Sequence, residues 1–220
     1  MTLDPMEYAE SNEINKWLTL GGVVGPIMFV LAFTVAGALR AEYSPIHQAI
    51  SDLGVGPNPW LLNGPMIIMG LLLVAFAVGF FRSAEIKIGS RWRRFCAVLL
   101  ALPGLGYINA GVFTEAPATV TLHWAIGMPM IAIGSVVGFF VVGLKLRSDS
   151  RWRRLSRYSM VAGPATLVII VAMFWVFTPG TSLAPLRLGG LMERVLFLEI
   201  LAWYVVFGWR LSHGPRAEAK

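Results

Sequence analysis

Between two long apolar runs lies S-P-I-H-Q-A-I-S-D-L-G-V-G-P-N-P-W-L-L-N, Ser44 to Asn63, which sets His47, Asp52 and Asn63 among prolines and glycines. An imidazole, a carboxylate and an amide can ligate a metal, exchange a proton or hold a polar ligand by hydrogen bonds. A purely structural connector between apolar runs needs none of these groups. Further polar residues recur near the ends of later apolar runs: Tyr107 and Asn109, Glu115, His123, and Glu193 followed by Arg194. Glu199 stands apart, near the middle of the last run.

The elements that must position these residues are set by composition. The 220-residue chain is 56% hydrophobic and 14% charged, against about 25% charged in a soluble domain. Six segments are long and apolar enough to cross a hydrocarbon core that takes about 20 helical residues: Trp17 to Leu39, Trp60 to Phe81, Phe95 to Phe113, Leu122 to Leu144, Met160 to Phe177 and Leu191 to Trp209. The expectation is an all-α, multi-pass protein of the plasma membrane, a bundle of six transmembrane helices over residues 17–209 with tails at 1–16 and 210–220. The first run exceeds the 7 to 15 residues of a signal-peptide core and follows an acidic tail (Asp4, Glu7, Glu10, Glu13), so it reads as a retained span.

Orientation follows from the basic residues. Lys16 precedes the first span, and Arg82, Lys87, Arg91, Arg93 and Arg94 fill the second connection. Lys145, Arg147, Arg151, Arg153, Arg154 and Arg157 fill the fourth, and Arg210, Arg216 and Lys220 end the chain. Only Arg40 and Arg187 lie in the alternate connections, with Arg194 just inside the sixth span. The positive-inside rule then makes both termini cytoplasmic. The net charge of +6 is topological, and the basic loops read as contacts to anionic lipid headgroups, with no nucleic-acid partner. The repeat of S-R-W-R-R at Ser90–Arg94 and Ser150–Arg154 fits either a duplicated hairpin or, more simply, two interfacial anchors. Cys96, the single cysteine, excludes an intramolecular disulfide and a cysteine-based metal site.

With that topology, Asp52, Asn63, Asn109, His123, Glu193 and Arg194 fall at one depth on the outer side and form the candidate ligand-binding set. Each has a plainer reading. Asp52 after Ser51 can cap a turn before Gly54, His123 can mark the interface, and Glu193 can pair with Arg194. Glu199, a midplane acid, must face the bundle and take a partner, with Ser135 and Thr166 at matching depth.

The elements Tyr43-Ser44-Pro45, Ile50-Ser51-Asp52-Leu53-Gly54, Asn63-Gly64, Gly111-Val112-Phe113 with His123 beyond it, and Gly190-Leu191-Met192-Glu193-Arg194 with Trp203 resemble the prokaryotic membrane family known as domain of unknown function nine-nine-eight. The I-S-D element is also similar, more distantly, to that of the damage-regulated autophagy modulator group. The resemblance implies a six-helix fold and names no activity.

Two function classes compete. One is a non-enzymatic membrane protein that binds a lipid headgroup or small polar ligand, with Arg194 or Arg187 on an anion and Asp52, Asn63 and His123 shaping the pocket. The other is a metal-assisted hydrolase of lipid-like amides or esters, in which His47, Asp52 and His123 hold zinc and Glu193 is the base. Zinc catalysis needs three protein ligands and an open position. The chain has no H-E-x-x-H pair and no G-x-S-x-G element, which favours the binding reading. A small transporter is a third, thinner possibility.

Overall fold

In a computed structural model that describes residues 5–83 and 86–213, the chain forms six long helices, with no strand among the described residues. They are α1 (Pro5–Leu39), α2 (Trp60–Arg82), α3 (Ser90–Val112), α4 (Val120–Leu146), α5 (Arg153–Phe177) and α6 (Gly189–His213). Helix α1 begins inside the segment expected as an N-terminal tail, and α6 runs on past Trp209 to His213. The outer parts of the expected tails, with Asp4, Arg216 and Lys220, lie outside the described residues.

Five helices, α1 to α5, are long and apolar enough to cross a membrane. With Val24, Ile27, Leu31 and Val35 of α1 and Val161 and Val168 of α5 turned outward, the surface suits acyl chains rather than water, and the protein is a multi-pass membrane protein. Helix α6 is not among these five. It is 25 residues long, about 37 Å at 1.5 Å per residue, but Glu193, Arg194, Glu199 and Arg210 lie within it.

Each helix packs against the next in the chain, and α6 returns to pack on α1, so the six close into a ring. Lipid is as apolar as leucine, so close packing and interhelical hydrogen bonds must hold such a bundle together. At the crossing of α2 and α3, a Cβ on Gly70 would stand 2.5 Å from the Gly104 carbonyl, and one on Gly104 would stand 2.6 Å from that of Gly70. Only glycine lets the two backbones meet there.

The centre of the ring is aromatic. Trp203 of α6 stacks on Phe139 of α4 at 4.2 Å and on Phe207 at 4.1 Å between ring centroids. Its indole N–H donates to Ser159 Oγ at 2.9 Å, and that hydroxyl donates to the Phe139 carbonyl. Tyr204 donates to the Leu100 carbonyl of α3 at 2.7 Å. Helix α6 thus supplies the side chains that tie α3, α4 and α5 together, which explains why a helix with so many charged residues is also so extensively buried.

Candidate functional site: a cavity beneath the first loop

The connection from Arg40 to Pro59 folds back over one end of the ring. Its sequence dictates how. Prolines and glycines break helix continuation, Glu42 and Asn58 take left-handed backbone conformations at φ 60° and 53°, and Ser51–Gly54 makes one short 3₁₀ turn. Asp52 Oδ2 accepts from the Ala49 N–H at 2.9 Å, reaching back to the residue ahead of the turn. Ile50 and Leu53 are driven into the bundle, at 0% and 3% exposure.

Two arginines hold this loop by its backbone. Arg40 donates to the carbonyls of Asp52 and Val55 at 2.5 and 3.0 Å. From the first turns of α6, Arg194 donates to the carbonyls of Pro45, Gln48 and Gly190 at 2.8, 3.2 and 2.9 Å, and to the Tyr43 hydroxyl at 2.6 Å. The Tyr43 hydroxyl donates in turn to the Ala49 carbonyl at 2.7 Å. Burial pushes the Tyr43 phenol up from its ordinary pKa, against the pull of Arg194, so it stays a neutral donor. Glu193 accepts from the Ile50 N–H, the Leu191 N–H donates to the Ile46 carbonyl at 3.0 Å, and His47 Nδ1 meets the Arg187 carbonyl at 2.9 Å. The loop is therefore stitched along its length to α6 and the residues just before it.

Beneath it lies a cavity of about 260 Å³. Polar groups from four parts of the chain line it: His47 and Asp52 of the loop, Glu115 of the connection before α4, His123 of α4 and Glu193 of α6. Met66, Tyr107, Ile131, Met173 and Phe197 form the deeper wall. His123 begins a π-helical turn, His123–Gly127, a feature that often marks functional positions in helices. Its Nδ1 sits 2.8 Å from the Phe113 carbonyl, which fixes the proton on that nitrogen and turns Nε2 toward Glu115 Oε1 at 3.7 Å. Burial raises the Glu115 pKa, opposed by the His123 imidazole and by the nearby Ser51 hydroxyl and Trp124 indole, and assisted by the Asp52 charge. The Tyr107 hydroxyl and Glu115 Oε1 are buried and have no hydrogen-bond partner among the described residues. Buried polar atoms in this condition are costly unless something satisfies them.

Of the six residues expected to bind ligand, Asp52, His123 and Glu193 line this cavity and three do not. Asn63 is turned to the loop, its amide donating to the Gly54 carbonyl at 3.0 Å. Asn109 faces the neighbouring helix, with Oδ1 3.0 Å from where a Cβ on Gly127 would stand. Arg194 does not line the cavity. Four oxygen acceptors surround its guanidinium, and among the described residues it forms no ion pair. The expected zinc set of His47, Asp52 and His123 does not assemble either, since no three His, Cys, Asp or Glu side chains among the described residues could share a metal ion. Tyr107 and Glu115, outside the set of six, also line the cavity. Their depth was readable, but the way each helix is rotated was not.

Glu199 lies apart from the cavity. The Thr166 hydroxyl of α5 lies 2.7 Å from its Oε2 and 2.9 Å from the Ala162 carbonyl, so its one proton is shared between these two acceptors. Ser135 is not its partner, as the Ser135 hydroxyl is buried without one among the described residues.

No curated protein and no solved structure matches this chain. A family model does, over residues 23–210, a range that contains α2 to α5 whole, most of α6, the C-terminal part of α1 and every residue that lines the cavity. The chain belongs to the family described as Protein of unknown function (DUF998).

Proposed function

We propose that this protein binds the headgroup of a lipid, or a small polar ligand of similar size, in the cavity beneath the first loop. The observation that carries the reading is the buried Tyr107 hydroxyl, without a partner among the described residues, in the wall of a cavity where polar groups from four separate chain segments converge. A cavity serving only to separate helices is expected to be apolar. Metal-assisted hydrolysis has less support, because no metal-binding set accompanies the polar groups among the described residues.

Ala110 of α3 is buried and lines the cavity, so a larger side chain there competes for its volume. Native mass spectrometry of the purified protein, stripped of lipid and then exposed to a membrane extract, should show the wild type retaining a discrete bound species. Ala110→Leu should retain it at least about tenfold less well, a difference of about 1.4 kcal/mol. Equal retention by both proteins would remove the cavity from consideration as the binding site.

In the proposed arrangement α6 is the sixth span, both termini are cytoplasmic, and the basic second and fourth connections contact anionic headgroups. The cavity then opens at the outer face. A reporter inserted near Ala118, in the exposed connection before α4, should be labelled from outside, and one fused after Lys220 from inside. The reverse pattern would put the cavity on the cytoplasmic side.

A further inference from the structure

The lining of the cavity is one-sided in charge. Asp52, Glu115 and Glu193 contribute three carboxylates, His47 and His123 two imidazoles, and no lysine or arginine among the described residues lines it. The two arginines closest in the chain to Asp52 and Glu193, Arg40 and Arg194, are committed to backbone carbonyls. Two of the three acids accept from backbone N–H groups, Glu193 from Ile50 and Asp52, through one of its oxygens, from Ala49. Glu115 has an oxygen with no hydrogen-bond partner among the described residues, and Tyr107 offers a lone pair from a hydroxyl in the same condition, at 0% exposure. Trp124, Phe177 and Phe197 add aromatic rings, whose faces attract cations. An anionic headgroup would find no positive partner in this lining unless the imidazoles were protonated.

Alongside runs an apolar groove of about 630 Å³ between α4 and α5, lined by Val120, Ala125, Pro129, Ile170 and Phe174 together with Trp124 and Met128. Trp124 and Met128 also line the cavity. The Trp124 ring, shared by the two spaces, lies 6.4 Å from the Phe174 ring of the groove. A molecule with its polar end in the cavity therefore has an apolar channel for its tail on the lipid-facing side of the same two helices.

Building on the ligand-binding reading above, we propose that the ligand is an amphiphile with a positively charged amine head, the ammonium held by Asp52, Glu115 and the Tyr107 hydroxyl and one alkyl chain lying in the α4–α5 groove. An opposite charge within about 4–6 Å favours the ionised carboxylates, so the ammonium and the buried acids stabilise each other. The N–H donors meet the acceptors that the protein leaves unsatisfied.

The test uses the full chain in phosphatidylglycerol nanodiscs, titrated with dodecylamine, dodecanol and dodecyl phosphate while Tm is followed. Dodecylamine should give a saturable rise of about 5 to 10 °C at roughly 100-fold excess over Kd, and the other two should not. The double variant Asp52→Asn, Glu115→Gln keeps an oxygen for the Ala49 N–H and the shape of both side chains. It should bind dodecylamine at least tenfold more weakly at an unchanged starting Tm. Trp124→Ala should weaken dodecylamine in proportion to chain length, with hexylamine least affected. A preference for dodecyl phosphate, or equal binding of dodecanol and dodecylamine, would overturn the cationic head while leaving a ligand-binding cavity. If no probe gives a saturable shift, the amine proposal fails, and retention in the Ala110→Leu comparison then decides whether the cavity binds anything else.

Discussion

Replacing Arg194 with methionine should destabilise the protein on the order of 3 kcal/mol. The guanidinium donates to three carbonyls of two chain segments and to the Tyr43 hydroxyl. A hydrogen bond to a charged group is worth about 1.5–3 kcal/mol, and a buried acceptor left alone costs about 1–3 kcal/mol. The bonds share one donor group and are not additive, which holds the total near the value of one or two of them. Thermal unfolding in detergent should show a fall of about 6 to 12 °C, at the 2–4 °C per kcal/mol expected for a chain of this length. Arg194→Lys should recover only part of it, because an ammonium keeps the charge but cannot spread five donors across the same fork. A lysine variant as stable as the wild type would mean that the charge alone matters and that the carbonyl contacts are incidental.

Gly190→Ala should be comparably damaging although it adds one carbon. The new Cβ would overlap the Gln48 carbonyl oxygen and approach that of Pro45 to 2.7 Å. Both are backbone atoms and cannot rotate aside, so the loop must lift from the start of α6. Lifting it breaks the Leu191 to Ile46 bond and the Glu193 contact with Ile50 and exposes Ile50. Burying an isoleucine is worth about 1.5–3 kcal/mol, so a loss of about 2–4 kcal/mol is expected once a backbone hydrogen bond is included. Hydrogen exchange should localise the change to residues 44–54. Protection lost evenly over all six helices would show that the effect is not on the loop. The double variant Arg194→Met, Gly190→Ala should lose much less than the sum of the two, since one displaced loop accounts for both.

The structural features behind these effects differ in how readable they were. Apolar length marks α1 to α5 directly, since nothing but a run of about 20 apolar residues is needed to fill a bilayer. The same criterion picks out Leu191 to Trp209 in α6, but Glu193, Arg194 and Glu199 interrupt that run, and α6 is not among the five helices long and apolar enough to cross a membrane. Depth along each helix was legible, which is how Asp52, His123 and Glu193 were brought to one end. Rotation about the helix axis was not. Asn63 and Met66 belong to adjacent turns of α2, and Asn109 is two residues from Tyr107, yet only Met66 and Tyr107 line the cavity. The two π-helical turns of α4, His123–Gly127 and Gly134–Gly138, each rotate the residues beyond them to a new facing, and no residue pattern announces them. The fate of Arg194 was hidden for another reason. Its acceptors are backbone carbonyls of a loop some 150 positions earlier, and a carbonyl leaves no mark in a sequence.

Helix α6 closes the ring against both α5 and α1 and carries Trp203, Tyr204 and Phe207 into its centre. In the proposed arrangement, with α6 as the sixth span, a nascent chain reaches the membrane as five helices around an open trough. Each charged residue at the centre of a helix resists entry through the translocon by about 2.5–3.5 kcal/mol, so Glu199, with Glu193 and Arg194 nearer the end, leaves the last segment poorly inserted on its own. Thr166, Ser159 and the loop carbonyls that receive its polar groups are already in place by then, waiting as a template. Biogenesis thus ends on the step that most needs everything before it, and a chain halted after α5 presents acyl chains with an unfilled seam of hydroxyls and carbonyls.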